Sequence, residues 1–169
     1  MAELTPKERL QPSLLDRLTD EEPEKRQEPR DKRILSPLKL RESVRRDLTW
    51  LFNTVQLEAT DDLDDYQQVQ RSTLNYGLPD LAGRTASSID RAALERLLRR
   101  AIWEFEPRLN RNTVKVRIVM DYEQMSHNAI CFLIEGELWA QPLPLRLFLR
   151  TEVDLENGEV KVSELSGSD

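Results

Sequence analysis

The only histidine of the chain is His127, in the polar stretch Gln124-Met125-Ser126-His127-Asn128, and the only cysteine is Cys131. A Ser-His-Asp or Cys-His relay would need that histidine as its base. A lone histidine in a polar turn is ordinarily solvated. A zinc site asks for three or four close ligands, and one histidine with one cysteine does not make that set. Cys131 alternates with Phe132 in an apolar run and reads as a small buried hydrophobe, and a single cysteine excludes an internal disulfide. Paired carboxylates can cleave glycosides, and Asp121, Glu123, Glu135 and Glu137 are the candidates. They flank a hairpin, where acids ordinarily keep a surface soluble, and no aromatic sugar-binding cleft is legible around them. The expectation is no catalytic residue, no metal and no cofactor.

Binding chemistry is better represented. Helix positions Arg91, Arg96, Arg99 and Arg100 form a basic face that phosphates would favour, but such faces are commonly solvated. The 169-residue chain carries a net charge of -6, and nucleic-acid binding is not expected of it. Trp50, Trp103 and Trp139 are read as core or interface anchors. The stretch Trp103-Glu104-Phe105-Glu106-Pro107-Arg108-Leu109 holds the least ordinary combination. Pro107 stops a helix there, yet the last turn carries Glu104 and Glu106 where the helix end favours cations. Arg108, Arg111 or a partner must compensate them.

The elements that position these groups follow from periodicity. Residues 1–35 mix charges of both signs with Pro6, Pro12, Pro23 and Pro29, and are expected to be a largely flexible arm. Within it, 12–18 reads as a short helical turn whose Leu14, Leu15 and Leu18 form a face for docking on the domain or on a partner. Ser36-Pro37 starts a helix carried by Leu40, Val44, Leu48, Leu51 and Val55 over 37–55. An acidic loop at 56–65, a short helix at 66–75 and turns around Asn75-Tyr76-Gly77-Leu78-Pro79-Asp80 follow. Ser87 or Ser88 caps a second long helix over 88–105, with Ser87 and Asp90 as a capping box and an apolar face from Ile89 to Phe105.

Beyond Pro107 the period becomes two. Val114, Val116, Ile118 and Met120 mark one strand, Ala129–Trp139 a second with a bulge at Gly136, and Leu145, Leu147 and Leu149 a third. Glu156-Asn157-Gly158 turns the chain into a hairpin with Val160 and Val162. Helices first and strands last imply an α+β fold, with a small antiparallel sheet of three to four strands ending in a C-terminal hairpin. The domain is expected over 36–165, with a disordered tail at 166–169. No stretch has a signal-peptide core or the length of a membrane span, so a soluble, intracellular chain is expected. The strands at 145–165 are expected to leave an open sheet edge able to accept another strand.

Several segments together resemble one family: Pro12-Ser13-Leu14-Leu15-Asp16-Arg17-Leu18, Leu40-Arg41-Glu42-Ser43-Val44-Arg45-Arg46-Asp47-Leu48, Val69-Gln70-Arg71-Ser72, Leu74-Asn75-Tyr76-Gly77-Leu78-Pro79-Asp80 and Glu106-Pro107-Arg108. The chain resembles the TssE family of baseplate subunits of the bacterial type VI secretion system. It is similar in turn to the phage tail baseplate wedge proteins often labelled lysozyme-like. The resemblance implies a structural, non-enzymatic baseplate protein that links the wedge to the contractile sheath. Its C-terminal strands would template the first sheath ring, through Arg146, Leu147, Phe148, Leu149, Val160 and Val162. It implies wedge contacts at Glu106, Pro107 and Arg108. Its partners would be other wedge subunits and sheath proteins, in the cytoplasm, in a baseplate docked at the inner membrane. The lysozyme label makes a peptidoglycan-cleaving glycosidase the alternative.

Overall fold

The computed structural model describes residues 13–19, 23–24, 36–85, 88–119, 129–140 and 144–165. Pro12, Ser87, Met120, Asp121, Glu123, His127 and the tail at 166–169 lie outside them, as does most of the 1–35 arm.

The helices are α1 (Leu14–Leu18), α2 (Pro37–Phe52), α3 (Gln67–Gln70) and α4 (Arg91–Phe105), with 3-10 turns at Leu57–Ala59 and Thr73–Asn75. The strands β1 (Lys115–Val119), β2 (Ala129–Leu138), β3 (Leu145–Asp154) and β4 (Val160–Glu164) form one antiparallel sheet in the order β1-β2-β3-β4. The fold is α+β.

Ser36 caps α2 by accepting the Lys39 N–H at 3.2 Å, with Pro37 in the first turn. The helix stops at Phe52, three residues short of the expected 55. Beyond it Thr54 and Gln56 exchange main-chain bonds with Leu78 at 2.8 and 2.9 Å, in competition with a further helical turn. Gly77 permits that exchange. Its φ is +131°, and a Cβ there would lie 2.3 Å from the Thr54 carbonyl oxygen. In α4 the cap is Asp90, which accepts the Ala93 N–H at 3.0 Å, so the helix begins at Arg91 and not at 88.

The helices lie on one face of the sheet. Leu40, Val44, Leu48, Leu51 and Phe52 of α2 and Leu94, Leu98, Ala101 and Ile102 of α4 meet Val116, Ile130, Phe132, Ile134, Leu147, Leu149, Val153, Val160 and Val162. Phe52 and Phe132 meet edge to face at 5.7 Å between centroids. The expected bulge at Gly136 is absent: Gly136 pairs in register with Leu147. Its missing side chain instead makes room for Leu109, whose Cδ2 would lie 3.1 Å from a Cβ there. The hairpin between β3 and β4 turns at Gly158, with φ +77°, as Asn157-Gly158 demands.

Candidate docking site

The junction between α4 and the sheet is built on Glu106. It is the C-cap of α4, its N–H donates to the Ile102 carbonyl at 2.9 Å, and it is 3% exposed. A carboxylate that deep requires partners, and Arg108 supplies them from two residues on. Glu106 Oε1 accepts the Arg108 main-chain N–H at 3.1 Å and its Nε–H at 2.7 Å, and Oε2 accepts Nη2–H. Pro107 makes the pairing possible by ending the helix and turning the chain between the two residues.

Arg108 continues into α2. Its Nη2 also donates to Asp47 Oδ2 at 2.5 Å and its Nη1 to the buried Ser43 hydroxyl at 3.1 Å. Burial alone would lower the Arg108 pKa, but the bonds and charge of Glu106, then of Asp47, outweigh it and raise it. The Oδ1 of Asp47 accepts Arg46 Nε at 2.9 Å and Nη2 at 2.8 Å. Arg46 Nη1 in turn donates to Asp16 of α1, and the guanidinium lies 5.0 Å over the Trp50 ring. The pair holds the Asp16 carboxyl below its ordinary range through the Arg46 hydrogen bond, which also raises the Arg46 pKa. One alternating row of charges, Asp16–Arg46–Asp47–Arg108–Glu106, therefore joins α1, α2 and the end of α4. Tyr76 closes its inner side: its hydroxyl donates to the Asp47 carbonyl at 3.3 Å, and its ring meets Phe105 edge to face at 5.1 Å. Burial, then the charges of Asp47 and Glu106, raises the phenol's pKa.

A cleft of about 290 Å³ opens beside this row, with Leu48, Leu51, Tyr76 and Phe105 as an apolar floor and Asp47, Glu106 and Arg108 on its rim. Pro107 is exposed beside it. The two acids that local helix chemistry leaves unexplained are both answered within the chain: Glu104 by Arg100 at 3.2 Å and Glu106 by Arg108. Arg111 donates to the Trp103 carbonyl at 2.8 Å and so serves the helix end itself.

The other expected residues are placed differently. Leu14, Leu15 and Leu18 do not pack on the domain: they are 71%, 47% and 73% exposed, and α1 is held by its polar residue Asp16. Trp50, Trp103 and Trp139 are all surface residues, not core. The strand order qualifies the expectation of an open edge along 145–165. β3 lies between β2 and β4 in the strand order, but β4 pairs only with its Leu149–Val153 half. Arg146, Leu147 and Phe148 pair with β2, Phe148 also accepting the Leu165 N–H at 2.9 Å, and Leu147 and Leu149 are buried in the core. β4 is an edge strand, but its Val160 and Val162 side chains are buried and the main chain of Val160 is bonded to Asn53. At the other edge, Glu95 of α4 accepts the Ile118 N–H at 2.8 Å. Glu135 and Glu137 stand on the sheet face away from the helices, across from Lys115 and Arg146. Sequence reasoning missed Asp47, Ser43 and Asp16 as members of the charge row, and Asn53 and Glu95 as edge covers.

A family model described as baseplate wedge protein gp25 matches residues 38–143, well over half of the chain. The matched span contains α2 from its second residue on, α4, Glu106-Pro107-Arg108 and the first two strands. Neither a curated protein nor a solved structure matches the chain.

Proposed function

We propose a specific docking role for this chain, which belongs to the baseplate wedge protein gp25 family and is thereby a structural component of a phage-tail-like baseplate. In this reading it is the TssE-type subunit of a bacterial type VI secretion baseplate. It binds other wedge subunits at the α4–sheet junction and contacts the contractile sheath through its sheet, so that the first sheath ring assembles on it. It acts without catalysis, cofactor or nucleic acid, in the cytoplasm, in a baseplate docked at the inner membrane. No helix among the described residues is long and apolar enough to cross a membrane.

The observation that carries the reading is the family match, whose span includes Arg46, Asp47, Glu106 and Arg108 of the charge row. The geometry supplies roles. Glu106 is too buried to meet a partner directly, so it acts by fixing Arg108. Exposed Pro107, the outer side of Arg108 and the cleft floor are what a partner meets. A preorganised guanidinium loses little rotamer freedom on binding. The leucines of α1, turned outward beside this site, provide apolar anchors for the same or a neighbouring wedge subunit.

Co-purification with the other wedge subunits tests this. Arg108→Glu should lose them, and so should the double variant Leu14→Asp/Leu18→Asp, whose changes lie on the surface and leave the melting temperature unchanged. Undiminished recovery with both variants would refute the docking assignment.

A further inference from the structure

α2 runs antiparallel to β4 along the sheet edge and turns one polar stripe toward it: Arg41, Arg45, Thr49 and Asn53, four residues apart. In β4 the main-chain groups alternate in direction, and those of Val160, Val162 and Glu164 point away from β3. Asn53 takes both outward groups of Val160. Its Oδ1 accepts the N–H at 2.9 Å, and its Nδ2 donates to the carbonyl at 2.8 Å. A carboxamide presents an N–H donor beside a carbonyl acceptor, as a residue of a β-strand does, so this side chain substitutes for one residue of a fifth strand.

The cover weakens along the strand. Arg45 Nη1 reaches the Val162 carbonyl only at 3.5 Å, the outer limit of such a bond. Arg41 reaches no main-chain group of β4 and meets the Glu164 carboxylate at 3.5 Å. Its buried Nε has no acceptor among the described residues. Asn53 itself follows the last residue of α2, so its side chain can swing away while the helix stays intact.

We propose that the outer edge of β4 is a strand-accepting site plugged by Asn53, and that its occupant is an extended acidic segment of another protein chain. The proposal rests on the sheath-contact part of the reading above and names the edge and its gate. The incoming strand takes over both bonds of Val160, gives Val162 a bond of ordinary length, and sets carboxylates against Arg41 and Arg45. Asn53 Nδ2 also donates to the Thr49 carbonyl at 2.8 Å. A side chain that served only as that helix cap would leave strand binding untouched, which separates the two roles.

The probe is a fluorescein-labelled heptapeptide of alternating glutamate and valine, titrated by anisotropy against the full chain. Asn53→Ala should bind it about tenfold more tightly than the unaltered chain, the scale of losing two competing hydrogen bonds. The same peptide with a central proline, and its lysine counterpart, should not bind. Exchange of the Val160 amide should speed up in Asn53→Ala and slow again with peptide. Asn53→Gly, which suits a helix end, gives the same comparison if the alanine variant does not fold. Equal affinity with and without Asn53, or equal binding of the proline peptide, overturns the proposal. Sheath protein captured on the same variants separates the readings. Peptide binding without sheath binding keeps the edge and removes the sheath. Sheath binding that ignores Asn53, without peptide binding, does the reverse.

Discussion

At the scale of single residues, Glu106 and Arg108 are unequal partners. Glu106 is 3% exposed, whereas the Arg108 side chain is 25% exposed and also holds Asp47 and Ser43. Removing the arginine strands a buried carboxylate, and breaking a buried pair in that way costs roughly 3–5 kcal/mol. Neutralising the glutamate leaves Arg108 with Asp47 and keeps the shape, at about 1–2 kcal/mol. Arg108→Ala should therefore melt well below Glu106→Gln in calorimetry, and the reverse order would show that Asp47 rather than Glu106 anchors the arginine. The sequence makes half of this legible. Two acids at a helix end and a proline followed by arginine mark the place, because capping rules are local. Asp47 and Ser43 are more than sixty residues away from Arg108, and no local rule pairs them. For the same reason Asn53 reads only as one more residue of the helix expected over 37–55, although its partner is the main chain of Val160.

At the scale of elements, α1 shows the limits of reading an apolar stripe. Leucines spaced as on a helix face suggest that the face is buried, but a five-residue helix buries too little to hold itself. Here Asp16 does the holding, and Ser13 caps the helix and lines the cleft. The sign of the pH dependence follows from the lowered Asp16 pKa. The pair's contribution is fully present above about pH 4, the unfolded carboxylate's range, and is lost as the pH falls through the depressed folded value. Backbone relaxation of the Leu14–Leu18 amides should report an ordered segment at pH 5 and a mobile one in stronger acid, while α2 and α4 stay ordered. Asp16→Asn should be mobile already at pH 7. An Asp16→Asn segment as ordered as the unaltered one would assign the docking of α1 to something other than Arg46. The long helices were more legible, since capping and an unbroken apolar stripe agree in them. Of their misplaced ends, Phe52 comes from Gly77, whose role depends on what lies opposite, and Arg91 from a choice of cap, Asp90 in place of Ser87 or Ser88.

At the scale of the molecule, the strand order decides what the sheet can do. Alternation and an Asn-Gly turn reveal four strands and their inward faces, so the α+β class is legible. Which strands are edges is not, because periodicity carries no neighbour information. The consequence is testable at Leu147. Its main chain pairs with Gly136 of β2 and its side chain is 1% exposed, so a proline there removes a ladder bond to β2 and leaves a hole in the core. Leu147→Pro should lose the cooperative thermal transition, not merely a surface for pairing. A folded Leu147→Pro chain would mean that β3 is peripheral after all.

The row Asp16–Arg46–Asp47–Arg108–Glu106 also has a mechanical meaning. Its links are unequal: at the inner end the Glu106 side chain is 3% exposed, whereas at the outer end those of Asp16 and Arg46 are 20% and 34% exposed. A load applied through α1 reaches the row at the part-exposed Asp16–Arg46 pair and would open it before the enclosed Arg108–Glu106 pair, because partly hydrated ion-pair partners are rehydrated at little cost. The helix–sheet junction behind it would keep its shape. Such a graded chain yields at its outer end under tension and can re-form there, while the domain beneath stays folded.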